Sequence, residues 1–102
     1  MSFDVDAVRA EFPILSRQVN GRPLVYLDNG ASAQKPRCVI DAITRAYEGE
    51  YANVHRGLHF LSNLATDNYE KVRATIARFL KAPHEDEVIF TSGSTEAINL
   101  IS

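Results

Sequence analysis

Two short apolar runs, Leu24-Val25-Tyr26-Leu27 and Val88-Ile89-Phe90-Thr91, stand far apart in the chain, with helical patterns before, between and after them. Runs of this length, rich in β-branched and aromatic residues, read as buried strands. The resulting order is helix, strand, helix, helix, strand, helix start, which is an α/β alternation. Two strands make a poor sheet by themselves. The pattern therefore predicts the front portion of a larger α/β domain.

The helical segments carry their own signals. Asp4 is a good N-cap, Val5, Val8 and Phe12 form one apolar stripe, and Pro13 ends it. Asn20-Gly21 is a turn pair followed by Pro23, and Asp28-Asn29-Gly30-Ala31-Ser32-Ala33 reads as a loop. Pro36 suits the first turn of the next helix, where Val39, Ile40, Ile43, Ala46 and Tyr47 keep helical spacing to about Tyr51. After the polar stretch Asn53–Gly57 a longer helix presents Leu61, Ala65, Tyr69, Val72, Ile76, Phe79 and Leu80 on one face. Pro83 and Glu85-Asp86-Glu87 turn into the second apolar run. The last helix starts near Ser94 and reaches Ser102 with no glycine stop, so a piece of a longer polypeptide is expected.

Composition narrows the class. In 102 residues, 45% are apolar, enough for one small core and too little for two ordinary domains. Eleven basic against 13 acidic residues leave a formal charge of −2, which argues against nucleic acid as the partner. No apolar run approaches the length of a membrane span. The acidic start Met1-Ser2-Phe3-Asp4-Val5-Asp6 lacks the apolar region of a secretory signal. The single Cys38 excludes an internal disulfide framework and a cysteine-built zinc site. The expectation is a soluble polypeptide of a reducing, intracellular compartment.

The segment Phe90-Thr91-Ser92-Gly93-Ser94-Thr95-Glu96-Ala97 offers the clearest chemistry. An apolar run passes through small residues into a helix whose first N–H groups lack intrahelical partners and whose dipole is positive there. Gly93 lets an anion approach, and the Ser94 and Thr95 hydroxyls add donors, so the turn is a phosphate cradle or an ordinary helix cap. No Gly-Lys-Ser/Thr follows, so it is not a Walker loop. In Asn53-Val54-His55-Arg56-Gly57-Leu58-His59 the two histidines lack a third ligand at suitable spacing, and no metal site is expected. That stretch is a solvated loop or one in which Arg56 meets an anion. Cys38 follows Lys35 and Arg37 near a helix start, where its thiol is either activated or a packing group. Lys35, Lys71 and Lys81 lack the desolvated setting of a nucleophilic amine. Asp28 either orients a ligand or closes a turn.

Several separated motifs, in order, resemble one family. Phe12-Pro13-Ile14-Leu15, the run Val19–Asn29, Ala31-Ser32-Ala33-Gln34-Lys35-Pro36, Asn53–His59 and Phe90–Leu100 are similar to the N-terminal part of SufS-type cysteine desulfurases. These belong to the class V aminotransferase group of fold-type I pyridoxal-phosphate enzymes. The resemblance implies an α/β fold class, here the incomplete N-terminal portion of a fold-type I transferase, mostly helical with two short strands. It implies that residues 1–102 are an N-terminal fragment of one class V aminotransferase domain, with no separate second domain. Isolated alternatives are a free-standing interaction module derived from such an enzyme, or a fragment of another class V enzyme.

By the same resemblance the parent enzyme is a cytoplasmic homodimer that converts L-cysteine to L-alanine and an enzyme-bound persulfide. Its sulfur passes to an acceptor protein of SufE or SufU type for iron–sulfur cluster assembly, and pyridoxal 5'-phosphate is the electron sink. Ser94 and Thr95 would hold the cofactor phosphate. His55 and Arg56 would lie at the dimeric active site, and Asn29, Gly30 and Ala31 would border the substrate pocket. Gly30 stands where the family usually has alanine, and Ser92-Gly93-Ser94-Thr95 where Arg-Gly-Thr-Thr is common. The family's cofactor-bearing lysine and persulfide cysteine match no residue here, so no catalytic residue is assigned and the chain alone is expected to be inactive.

Overall fold

Asp4 opens the first helix, α1 (Val5–Ala10), by accepting a hydrogen bond from the Ala7 N–H at 3.0 Å. The structure is a computed structural model that describes residues 2–55 and 57–102. The chain divides into two compact units, Met1–Gly49 and Glu50–Ser102.

In the first unit Pro13 ends α1 and begins a 3-10 turn, Pro13–Ser16. A hairpin follows: β1 (Gln18–Val19) pairs antiparallel with β2 (Arg22–Pro23), Val19 opposite Arg22. Asn20 at φ 54° and Gly21 at φ 75° form the two-residue loop, both left-handed as a type I′ turn requires. The Leu24 N–H reaches the Arg17 carbonyl at 3.1 Å and extends the pairing by one bond. Helix α2 (Arg37–Arg45) is capped by Pro36 and runs on into a π-helical turn, Ala46–Glu50. The Arg37 N–H donates to the Glu11 carbonyl at 2.8 Å, tying the start of α2 to the end of α1.

The second unit is built on α3 (Phe60–Leu80). His59 caps its start through Nδ1, which accepts from the Ser62 N–H at 3.2 Å. At its end Lys81 turns left-handed at φ 57°, and the Ala82 N–H returns to the Ala77 carbonyl at 2.8 Å, a Schellman-type closure. A 3-10 turn, Glu85–Glu87, follows, capped in the manner of a capping box: the Glu87 carboxylate accepts from the His84 N–H at 3.2 Å, and His84 Nδ1 accepts from the Asp86 N–H at 3.1 Å. The last helix is α4 (Ser94–Ile101).

The expected partial α/β architecture is present, mostly helical with a two-stranded sheet, but the strands lie elsewhere than predicted. Leu24–Leu27 and Val88–Thr91 are extended without a ladder partner among the described residues. Leu24 and Tyr26 are half-buried while Val25 and Leu27 face solvent, the alternation of a strand, but beyond the Leu24 bond to Arg17 the pairing does not continue. The Asn20-Gly21 turn instead pairs the residues that flank it, because that contact is local.

The expected core also differs. Among the described residues the buried apolar side chains are Ala77 and Val88, accompanied by the buried hydroxyls of Ser62 and Thr66. On α3 the inward stripe is Ser62, Thr66, Arg73 and Ala77, at i, i+4, i+11 and i+15, with the more exposed Tyr69 on the same face at i+7. It is rotated by roughly a quarter turn from the apolar face read in the sequence. That apolar face leaves Val72, Phe79 and Leu80 exposed, Phe79 at 84%. Among the described residues no helix is long and apolar enough to cross a membrane.

Lys81 holds a left-handed conformation that costs a side-chain-bearing residue about 1–2 kcal/mol and glycine much less. Lys81→Gly should therefore raise stability by about 0.5–1 kcal/mol, read as a higher urea midpoint, while Lys81→Ala leaves it nearly unchanged.

Candidate functional site

The first N–H groups of α4 have no intrahelical acceptor. Gly93 is the N-cap and provides no side-chain cap, and the Ala97 N–H is the one that closes back on the Gly93 carbonyl, at 3.1 Å. Ser94 and Thr95 are exposed, and a Cβ placed on Gly93 would meet nothing within 4 Å, so the approach to the helix end is open. Two hydroxyls and free N–H groups at the positive end of a helix dipole suit a phosphate oxyanion. Within that turn the Thr91 Oγ1 donates to the Gly93 carbonyl at 3.1 Å.

Glu96 shapes the same turn. Its carboxylate accepts from the Ser92 N–H at 2.8 Å and from the Ser92 hydroxyl. These two bonds, the hydroxyl's first and the amide's second, hold the Glu96 carboxyl below its ordinary value. The acidic group is thus folded back along the incoming chain.

The extended segment leading to the turn is pinned to α3. Val88 is buried, and its carbonyl accepts from the Arg73 guanidinium. The Phe90 ring lies edge-on to Tyr69 with centroids 5.0 Å apart. Arg73 also sits 5.1 Å from the Phe90 centroid and 5.6 Å from that of Tyr69, and its Nε meets the Glu70 carboxylate at 3.1 Å.

His55 is held by its backbone. The Ser62 hydroxyl, 2% exposed as a residue, shares its single O–H between the Asn53 carbonyl, at 3.0 Å, and the His55 carbonyl. Thr66 Oγ1 continues the stripe by donating to the Ser62 carbonyl at 2.9 Å. A Cβ on Gly57 would come 3.4 Å from the Ser62 Oγ, an ordinary van der Waals distance. His55 itself is exposed, and no hydrogen bond joins it to Ser94 or Thr95. Arg56, singled out as an anion contact, lies outside the described residues.

Asn29, Gly30 and Ala31 belong to the first unit, in an exposed loop fastened by its own side chains. The Tyr26 hydroxyl donates to the Ser32 carbonyl at 2.7 Å, Asn29 Oδ1 accepts from the Gln34 N–H at 3.0 Å, and the Asp28 carbonyl accepts from the Ala31 N–H at 3.1 Å. Lys35 Nζ donates to the Ala33 carbonyl at 2.7 Å and serves the same loop. Cys38 is exposed in the first turn of α2. Among the described residues no three His, Cys, Asp or Glu side chains gather as metal ligands, and His59 Nδ1 is engaged in capping α3. Sequence reasoning missed Ser62 and Arg73: a serine and an arginine on a helix read as surface residues, and the one available signal was their shared spacing with Tyr69.

Comparison with known proteins is consistent across the chain. Residues 25–102 match the family model described as aminotransferase class V. Over all 102 residues the chain is 57% identical to a cysteine desulfurase of Yersinia pseudotuberculosis serotype O:1b (strain IP 31758) and 56% identical to one of Yersinia pestis (strain Pestoides F). The whole chain is covered in both comparisons and spans 25% of each relative's length.

Ser62→Ala removes the one O–H shared by two carbonyls and should cost about 1–3 kcal/mol, with faster amide exchange at His55, whose N–H bonds to Asn53. The Glu96 hook should follow pH. Because its carboxyl is lowered by the Ser92 bonds, the stabilisation is complete above the ordinary carboxylate value and is lost as pH falls through the lowered one. Titration by NMR should show the Ser92 amide and the Glu96 carboxyl moving together, with a midpoint below that of an unrestrained glutamate.

Proposed function

Because the chain belongs to the class V aminotransferase family, we propose that it is the N-terminal portion of a pyridoxal-phosphate-dependent cysteine desulfurase of the SufS type. The observation that carries this reading is 57% identity maintained over the whole chain against a protein named as a cysteine desulfurase. The reaction takes L-cysteine and an enzyme thiol to L-alanine and an enzyme persulfide. The substrate C–S bond breaks, an S–S bond forms, and the thiol's hydrogen is balanced in the alanine methyl group. A sulfur acceptor of SufE or SufU type then carries the sulfur toward iron–sulfur cluster assembly, in the cytoplasm, with the enzyme a homodimer.

Pyridoxal phosphate, when bound, supplies the electron sink for breaking bonds at the substrate carbon atoms. The contribution of this chain is binding and shape. Ser94 and Thr95, with the opening N–H groups of α4, hold the cofactor phosphate. His55 and Arg56 face the dimeric active site, where Arg56 meets an anionic group. Asn29, Gly30 and Ala31 border the cysteine pocket, their loop kept in shape by Tyr26 and Asn29. Both units are parts of one class V domain. The exposed apolar face of α3 and the extended Leu24–Leu27 and Val88–Thr91 segments support that reading, since each is a surface or edge that further elements of the same domain would cover.

The 102 residues alone are inactive, because Lys35, Lys71, Lys81 and Cys38 are not the cofactor-bearing lysine or the persulfide cysteine. With pyridoxal phosphate and borohydride, peptide mass spectrometry should find no reduced adduct on any of the three lysines. A longer polypeptide that contains this chain in frame should release alanine from L-cysteine. A stoichiometric adduct on one of these lysines, or a longer product that leaves cysteine untouched, would overturn the assignment.

A further inference from the structure

An arginine that is 19% exposed in the middle of a helix needs partners for its charge, and those of Arg73 point to one place. Apart from the Glu70 carboxylate and the Tyr69 ring on its own helix, the guanidinium engages the Val88 carbonyl and the Phe90 ring. These belong to the extended segment that has no strand beside it among the described residues. A planar, delocalised cation can donate to a carbonyl in its plane while its faces lie against aromatic rings; an ammonium cannot do both as well. From Phe90 the chain reaches Ser94 through Thr91, Ser92 and Gly93, a span of at most about 14 Å. The Thr91–Gly93 and Ser92–Glu96 bonds fold that span further. Where Arg73 fixes Phe90, it therefore limits where Ser94 and Thr95 stand relative to α3.

We propose that Arg73 is the positioning residue of the phosphate-binding turn: its guanidinium, through Val88 and Phe90, holds the opening of α4 in the geometry that receives the cofactor's phosphate. The inference rests on the reading of Ser94 and Thr95 given above. Arg73 touches neither hydroxyl and acts through the segment it pins.

The test uses the desulfurase polypeptide that carries this chain, stripped of cofactor and titrated with pyridoxal phosphate. Arg73→Met keeps the aliphatic stem and should raise the Kd for pyridoxal phosphate about tenfold, with kcat at saturating cofactor within about twofold of the parent. Arg73→Lys should recover part of that affinity, and Phe90→Leu should weaken it about threefold. The 31P resonance of the bound phosphate should shift or broaden in Arg73→Met. A purely structural role would lower Tm and leave the Kd and the 31P signal unchanged. If the parent binds pyridoxal phosphate and both Arg73→Met and Phe90→Leu bind it equally well, the positioning role is overturned and the proposed function stands. If Arg73→Met does not fold, Phe90→Leu and Arg73→Lys decide by the same measurements. If the parent itself binds no pyridoxal phosphate, both readings fall.

Discussion

The inward stripe of α3 organises the second unit. Ser62 at one end holds the Asn53 and His55 carbonyls through its buried hydroxyl, with Thr66 bonded to the Ser62 carbonyl on the same helix, and Arg73 further along holds the Val88–Phe90 segment. The two anchor points are about 16 Å apart along the helix axis. What the helix supplies is a fixed spacing between two loops, and it does so with polar and small side chains. Apolar packing has little part in this, because Ala77 and Val88 are the apolar side chains buried among the described residues. Hydrogen bonds to carbonyls are directional, so they fix a loop's position even where little area is buried.

How much of this was legible depends on whether the determining contact was local. The N-cap at Asp4, the stop at Pro13, the turn at Asn20-Gly21 and the start of α4 near Ser94 were all readable, because each is decided by residues a few positions apart. The strands were misplaced because a strand is defined by its neighbour. Leu24–Leu27 has the composition and the alternation of a strand, yet the ladder formed one step earlier, where the tight turn brought Val19 and Arg22 together. The face of α3 was misread for a related reason. Periodicity reports where apolar residues lie, and in this unit the packed stripe is the one carrying serine, threonine and arginine.

The candidate site divides in the same way. The helix start at Ser94 was readable from the small-residue turn before an apolar helix, and the structure leaves Ser94 and Thr95 exposed there. Asn29 was read as a pocket residue, and the structure adds that its Oδ1 serves the Gln34 amide, so one of its groups is already occupied in shaping the loop. The support beneath these residues was not readable. Nothing in a run such as Glu70-Lys71-Val72-Arg73 announces that Arg73 reaches a carbonyl fifteen positions later, because that contact exists only once the chain has turned at Lys81 and Glu85–Glu87.

The electrostatics of the α4 opening carry a further consequence. The turn Ser92-Gly93-Ser94-Thr95 contains no cation, and Glu96 places a carboxylate in the first helical turn. A carboxylate left free there would compete with an incoming anion for the helix N–H groups. The Ser92 amide and hydroxyl prevent this by drawing the Glu96 carboxylate back onto the preceding chain. The donors left for an oxyanion are then neutral hydroxyls and N–H groups, whose strength toward phosphate depends on geometry more than on net charge. A turn without a cation of its own loses more from a small misplacement than one built around a guanidinium, because directional bonds weaken faster with angle and distance than a charge–charge attraction does. That dependence is the physical reason why the pinning of Val88 and Phe90 to α3, remote from the hydroxyls themselves, bears on what the turn can bind.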